Sequence, residues 1–387
     1  MEKSYIRVGL GNRVHAIIIY AMASNSKEIV EALCAEIEAG KYSPTSPFPS
    51  VAQIGRRFAV SHLTAVKILD ALKKRGLVFS RQGSGTFVRK RPIQRIGFIV
   101  PAPAEGDFYP YLSNVASHVC GMIGHSVLFT DISTWPAADV ERRLRNQVES
   151  FVSEHVTGVI FHPIDFCESA ERINISVLEM FRDAKIPVVL LDCGTGYESF
   201  DSVGIDNVQV GWCLAEHVVS RGARRLLFAY REMKSGMRSP NARLRLLGVR
   251  NYAMENPGTV FVGTCGIRNK GRDSLASALK RLKPEAVICT SDYVAALALK
   301  EIAASGRRVP DDMLVTGVND IGVARLVNPS LTTVRQPVDE IAKTAVETLK
   351  WRMENPSAVG RRIFLDAPLV VRESTAANPK KQDRTKT

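Results

Sequence analysis

An alternation of short apolar runs with amphipathic stretches restricts the fold of this 387-residue chain more than any other feature. From Arg95 onward, the runs have the length of buried strands, and the stretches between them have the period of helices with one apolar face. Buried strands that alternate with helices form parallel sheets with helices on both faces. We therefore predict an α/β body with strands at 96–100, 127–130, 159–161, 188–191, 226–230, 286–289 and 314–317, and helices that include 137–154, 210–221, 273–282 and 293–305.

The body, taken as residues 95–375, is long enough for two such sheets. Open parallel sheets bind ligands beyond the carboxyl ends of their strands. Two lobes built this way form a cleft that can close around a small molecule. The sequence thus predicts a two-lobed ligand-binding domain with parallel sheets.

Residues 24–89 follow a different pattern, that of three helices and a hairpin. A first helix ends at Gly40, Ser50 caps a short second helix, and Ser61 caps a third. Apolar runs at 77–79 and 86–88 flank the glycine-rich turn 83–85 and predict a hairpin. This order predicts a small winged helix-turn-helix domain, whose third helix would bury the apolar row Leu63, Val66, Leu69 and Leu72.

Basic residues concentrate in this amino-terminal part. Residues 1–91 hold 15 Lys and Arg against 6 Asp and Glu, whereas residues 92–375 hold 33 against 32. A basic head on a neutral body predicts a polyanionic partner, double-stranded DNA. Residues 90–94 would form a short linker.

The two ends of the chain carry no such pattern. We expect residues 1–23 to be an extension, disordered rather than a secretory signal, because the apolar stretch at 14–23 is short and interrupted by His15 and Tyr20. Translation from Met1 and from Met22 both stay open. The basic tail, 376–387, is also expected to be disordered.

Several motifs of the head resemble the GntR-type winged helix: Phe48-Pro49-Ser50, Phe58-Ala59-Val60-Ser61-x-x-Thr64, Arg75-Gly76-Leu77-Val78 and Gly83-x-Gly85-Thr86-Phe87-Val88. In that family the turn, the start of the third helix and the wing tip contact DNA. The resemblance, with the basic wing residue Arg81 added, implies DNA contacts from Ser61, His62, Thr64, Lys67, Arg81, Gln82, Gly83, Ser84 and Thr86. His62 and Val66 stand where the family often has Arg, so fewer bidentate Arg–guanine contacts are available.

Motifs of the body resemble the LacI-type, periplasmic-binding-protein-like effector domain. They include Ala242-Arg243-Leu244-Arg245-Leu246-Leu247-Gly248, Gly317-Val318-Asn319-Asp320 and Pro329-Ser330-Leu331-Thr332-Thr333-Val334. A GntR-type head on a LacI-type body is the arrangement of the arabinose-repressor-like subgroup. The resemblance implies a transcriptional regulator that responds to a small molecule.

Ligand candidates are polar and aromatic side chains at the ends of the predicted strands and in these motifs. Sugar recognition uses carboxylates and amides for paired hydroxyls, an Arg fork and aromatic faces. The candidates are Phe108, Tyr109, Asp131, His162, Asp192, Arg245, Ser291, Asp292, Asn319 and Gln336. Structural alternatives stay open: Asp292 as a helix cap, His162 as a strand-end residue and Phe108 as part of the core.

These features predict a homodimeric, cytoplasmic regulator, a repressor of a carbohydrate-related operon, that binds a palindromic operator and a sugar. A transport-type solute-binding protein is the alternative, since it would share the body. We expect no enzyme activity, cofactor or metal, because no complete catalytic or cofactor motif is present and the seven cysteines lack metal-ligand spacing. No apolar run approaches the length of a membrane helix.

Overall fold

The computed structural model describes residues 26–38, 40–89, 94–100, 108–132, 135–136, 138–165, 167–193, 196–231, 239–267 and 274–376. Apart from Met122–Gly124, its contacts divide the chain into a unit that ends at Ile93, here the head, and a unit that begins at Gln94, here the body. The predicted extension, most of the predicted linker and the tail after residue 376 lie outside the described residues. The exact domain bounds stay a prediction.

The head has the predicted winged helix-turn-helix layout. Helices α1 (Ser26–Glu38), α2 (Val51–Phe58) and α3 (His62–Lys74) precede the antiparallel strands β1 (Val78–Arg81) and β2 (Gly85–Val88). Ser50 and Gln53 form a capping box at the start of α2, because each side chain bonds the backbone of the other. Ala59, in a left-handed conformation, ends α2 and turns the chain toward α3.

The predicted apolar row of α3 is partly wrong. Leu69 and Leu72 are buried, but their partners in the core are Ala65 and Ile68, while Leu63 is 74% exposed. Leu72 lies nine positions after Leu63, which is about two and a half helical turns, so Leu63 and Leu72 lie on opposite faces of α3. The predicted row took every third residue, and in an α-helix that spacing moves gradually from one face to another.

The body continues the chain with β3 (Arg95–Val100), α4 (Phe108–Met122), β4 (Ser126–Asp131), α5 (Val140–Ser153), β5 (Gly158–Phe161), α6 (Ala170–Asp183), β6 (Val188–Leu191), β7 (Asp201–Ile205), α7 (Asn207–Ser220), β8 (Arg225–Arg231), α8 (Pro240–Glu255), β9 (Val260–Ile267), α9 (Leu275–Leu282), β10 (Ala286–Cys289), α10 (Asp292–Ala304), β11 (Leu314–Asn319), α11 (Gly322–Leu326), β12 (Thr332–Arg335), α12 (Val338–Glu354), β13 (Arg362–Leu365) and β14 (Leu369–Val370). A short 3₁₀ helix, Glu373–Thr375, follows.

These elements form two lobes, each around one six-stranded sheet. The first sheet has the order β4-β3-β5-β6-β7-β13 and is parallel throughout. The second has the order β9-β8-β10-β11-β12-β14, and only the edge strand β14 is antiparallel. The chain passes between the lobes after β7, after β12 and after β13. The two-lobed α/β fold predicted from the sequence is confirmed.

All seven predicted strands of the body are present, but β7, β9, β12 and β13 were not predicted. Polar or small residues interrupt their apolar pattern. Asp201 in β7, for example, is buried, and Arg352 of α12 donates to its carboxylate from Nε at 2.7 Å. The ion pair with a distant residue thus allows Asp201 to occupy a buried strand position, although aspartate has a low strand propensity.

Candidate functional site

A chain of polar side chains joins the two lobes at the carboxyl ends of their strands. Arg245 donates from Nε to Asn207 Oδ1 at 2.7 Å, and Asn207 Nδ2 donates to Asp192 Oδ1 at 3.1 Å. Asn241 Nδ2 lies 2.8 Å from both the backbone oxygen and Oδ2 of Asp192. Arg245 also donates to the backbone oxygen of Thr290 at 2.6 Å. We call Asp192, Asn207, Asn241 and Arg245 the bridge cluster.

Local structure explains why these four residues meet. Asp192 follows β6 in a left-handed conformation (φ 42°), and its backbone N–H donates to Val203 of the neighbouring strand at 2.9 Å. Asn207 is the first residue of α7, directly after the first crossover. Asn241 and Arg245 are four residues apart on α8 and therefore lie on one helical face. The bridge cluster thus depends on both lobes and on the crossover between them.

Two glycines bring α7 and α8 close enough for this contact. A Cβ atom added at Gly248 would lie 2.0 Å from the backbone oxygen of Val208, and one added at Gly211 would lie 1.9 Å from that of Arg245. Only glycine permits so close an approach of two backbones. The helix packing therefore sets the position of Asn207 relative to Arg245.

The bridge cluster places opposite charges in a buried site. Arg245 is only 7% exposed, and burial lowers the pKa of its guanidinium, while the nearby Asp192 carboxylate opposes that effect. Asn207 and Asn241 are buried as well, and their amides connect the two charges. Charged hydrogen-bonding groups held away from water bind polar ligands strongly.

Tyr109 and His162 lie next to the bridge cluster. The Tyr109 hydroxyl is 2.8 Å from His162 Nε2, and the two rings meet edge to face. Burial, with the Asp192 and Asp165 carboxylates, raises the pKa of Tyr109 well above its usual value. His162 Nδ1 is buried and has no hydrogen-bond partner among the described residues. This ring nitrogen is available to a ligand.

A cavity of about 230 Å³ opens beside these groups. Its polar lining includes His162, Asp192 and Asn241, which are described above, and the nearby Asp165. Burial raises the pKa of Asp165, and the electrostatic interaction with nearby His162 opposes the rise. The wall also includes Asn174, Tyr197 and Arg243. Such a lining suits a small molecule with several hydroxyl groups.

Sequence reasoning missed Asp165, Asn207 and Asn241. The sequence did contain a signal that Asn241 belongs to the site, because Asn241 lies one helical turn before the candidate Arg245 and so shares its helical face. Asn207 was visible only as part of a helix start, and nothing in the sequence indicated that it faces Arg245. Asp165 follows the candidate His162 by three residues, in a segment without regular structure.

Three further candidates lie at a second cavity of about 620 Å³, lined by Phe108, Asn319 and Gln336 among others. Gln336 Nε2 donates to Asn319 Oδ1 at 2.8 Å, and Gln336 Oε1 is buried without a described partner. Phe108 is only 9% exposed and packs in the core. The ten candidates are therefore not gathered at one point.

The remaining candidates have structural contacts. Asp131 is exposed at the end of the edge strand β4. The Ser291 hydroxyl caps α10 by accepting from the N–H of Val294 at 3.3 Å. Asp292 is fully buried and accepts from the Thr333 hydroxyl and the backbone N–H of Ile321, and burial raises its pKa to about 7. Their ligand roles stay predictions.

The DNA candidates lie at the start of α3 and on the hairpin turn. The Ser61 hydroxyl caps α3 by accepting from the N–H of Thr64 at 3.2 Å, while His62 and Lys67 are exposed. Arg81, Gln82, Gly83 and Ser84 are exposed at the wing tip, and Thr86 is half-buried. Gly83 and Gly85 have positive φ values of 74° and 104°, which the tight turn requires. Their contacts with DNA stay a prediction.

Within the described part of the chain, no group of His, Cys, Asp and Glu side chains could hold a metal ion. No helix described there is long and apolar enough to cross a membrane.

Comparison with known proteins matches two parts of the chain to protein families. Residues 25–88 match the family of bacterial regulatory proteins called gntR, and residues 215–375 match the periplasmic binding protein-like domain. The arabinose metabolism transcriptional repressor of Geobacillus stearothermophilus is 26% identical over 88% of this chain and 94% of its own length. The ribose operon repressor of Escherichia coli is 24% identical over 82% of this chain and 92% of its own length.

Solved structures agree with this fold. The lac repressor dimer bound to operator and the anti-inducer ONPF has a TM-score of 0.62 at 21% identity, covering 82% of this chain and 92% of its own. A LacI-type regulator from Alkaliphilus metalliredigens, complexed with D-xylulofuranose, has a TM-score of 0.59 at 19% identity, covering 73% and 99%.

Proposed function

We propose that this chain, which joins a gntR-family head to a periplasmic-binding-protein-like domain, is a transcriptional repressor controlled by a small polar molecule. It would bind a palindromic operator as a homodimer, in the cytoplasm, with a sugar in the cleft between its lobes. The bridge cluster carries the proposal, because it links Asp192 of the first lobe, which lines the cavity, through Asn207 to Arg245 of the second lobe.

The similar proteins support a carbohydrate ligand and a repressor. Relatives are named for arabinose metabolism and for the ribose operon, and solved relatives hold D-xylulofuranose or ribose. The cavity beside His162, Asp165 and Asp192 offers the acceptors and amide donors that paired hydroxyls need. We propose no catalytic role for these residues, since the relatives are transcriptional repressors.

Ligand binding would shift the lobes between an open and a closed arrangement. A molecule that touches Asp192 and Arg245 together contacts both lobes, so its affinity differs between open and closed arrangements. That difference is what allows a ligand to shift the conformation and, through it, the affinity for DNA.

Selection of binding sites from a random duplex library, followed by anisotropy titrations of the full chain, tests the proposal. We expect a palindromic site and binding that weakens steeply with salt, because Lys and Arg contacts release counterions. A pentose or hexose that raises the melting temperature should change DNA affinity at least about tenfold, a coupling of ~1.4 kcal/mol.

Lys67→Ala should weaken binding to all sequences and lower the salt slope by about one. Lys300→Ala, an exposed lysine of the body on α10, is the matched control and should leave DNA binding unchanged. A protein that selects no DNA sequence, or whose DNA affinity ignores every stabilising sugar, would contradict the proposal.

A further inference from the structure

The outward face of α3 is apolar at its centre. Leu63 is 74% exposed, Val66 one turn later is half-buried, and both are directed away from the buried row that starts at Ala65. Lys67, four residues after Leu63, is exposed on the same face. A large apolar side chain this exposed at a helix start has no role in the core of the head.

The surroundings of Leu63 indicate what covers it. Ser61 and His62 are exposed beside it, and the amino-terminal 91 residues hold 15 basic and 6 acidic residues. On the same face of α3 as Leu63, the exposed Lys67 and Lys74 lie on either side of Asp70, and the basic excess of the whole segment favours a polyanion over a second apolar protein face. In the major groove, the apolar group that each T·A pair presents is the thymine 5-methyl, whereas guanine presents only acceptors.

We propose that Leu63 and Val66 read thymine methyl groups, so that each operator half-site has T·A pairs where this face meets the groove. This inference rests on the proposed DNA-binding function and adds the base that is read. No arginine lies on the described α3 helix, so a bidentate contact with guanine from this helix is absent there. His62 and Lys67 can still contact base edges and phosphates around the methyl groups.

The test removes the 5-methyl group of thymine from the operator DNA and leaves the rest of the duplex unchanged. The selected operator duplex is synthesised with thymine or with uracil at the contacted positions, and the affinity of the full chain is measured for both. Loss of one buried methyl contact should weaken wild-type binding about three- to tenfold. Leu63→Ala should bind the thymine duplex more weakly and should barely distinguish it from the uracil duplex.

Lys67→Ala serves as the matched control from the same helical face. It should weaken binding to both duplexes and retain the wild-type preference for thymine. Since Leu63 is exposed, its replacement should leave the melting temperature unchanged, which circular dichroism verifies. Equal wild-type affinity for the two duplexes, an unchanged thymine preference in Leu63→Ala, or selected half-sites without T·A pairs would each overturn the inference. A chain that selects no sequence would instead contradict the proposed function itself.

Discussion

At the scale of the residue, Arg245 of the second lobe is linked to Asp192 of the first lobe through Asn207. Its Nε donates to Asn207 at 2.7 Å and its terminal nitrogen to the Thr290 backbone at 2.6 Å, in a site that is 7% exposed. A buried guanidinium is stable only when such acceptors surround it. We expect the same guanidinium also to donate to a ligand hydroxyl, so that one side chain would serve both the fold and the binding site.

Arg245→Ala should weaken sugar binding about ten- to a hundredfold, since a charge-assisted hydrogen bond contributes roughly 1.5–3 kcal/mol. Titration calorimetry with the sugar found by thermal shift measures it. DNA affinity without sugar should stay at the wild-type value. Arg250→Ala, exposed on the same helix, is the control and should change neither.

Arg245→Lys separates charge from geometry. Lysine keeps the positive charge but has a single nitrogen, so it lacks the planar fork whose separate nitrogens bond Asn207 and Thr290. We expect it to recover less than half of the lost binding free energy. Unchanged sugar affinity in Arg245→Ala, with a lowered melting temperature, would show that the residue is structural only.

At the scale of elements, the packing of α7 against α8 positions the bridge cluster. Gly211 and Gly248 let the two backbones approach, and Asn207 and Arg245 extend from these helices toward each other. A change in the distance between the helices therefore alters the site without touching any of its side chains.

Gly248→Ala should push α7 and α8 apart, because the new Cβ would lie 2.0 Å from the Val208 oxygen. Overpacking of this kind costs roughly 1–3 kcal/mol, so the melting temperature should fall by several degrees. Sugar affinity should fall with it. In the control, Gly121→Ala on α4, the added Cβ meets no atom within 4 Å and the melting temperature should hold or rise. A Gly248→Ala protein with wild-type melting and binding would contradict this role of the glycines.

At the scale of the whole molecule, the proposed function requires that sugar binding in the body alter DNA binding by the head. Only the segment between Arg89 and Gln94 connects them, and it contains Pro92, which lacks a backbone donor. From its length alone, we expect this segment not to hold a separate hinge helix. We expect the body of a dimer to act by setting the spacing of its two heads.

A flexible Gly/Ser insert of about ten residues after Arg89 tests this expectation. It should leave non-specific DNA affinity nearly unchanged, because the phosphate contacts belong to each head alone. Specific affinity and the response to sugar should both decline, since a long linker no longer fixes the distance between heads. A full sugar response in the lengthened protein would rule out the spacing mechanism.

Much of this protein was determined by the sequence alone, where local chemistry and periodicity act over short distances. The caps at Ser50 and Ser61, the glycine turn at 83–85 and the apolar strands of the body all follow from backbone preferences and burial. The winged head and the two-lobed body could therefore be predicted, whereas the ligand roles of His162, Asp192 and Arg245 stay predictions.

Only the tertiary structure decided what depends on distant partners. Asp201 occupies a buried strand position because Arg352 forms an ion pair with it. Asn207 faces Arg245 because two glycines allow α7 and α8 to pack closely. Leu63 is exposed because it lies on the face of α3 opposite Leu72, although the predicted apolar row had placed both residues in the core. In these cases the result depends on a contact between residues far apart in the chain, or on which face of a helix packs against the core. The residue pattern along the sequence does not show which distant residue each side chain contacts.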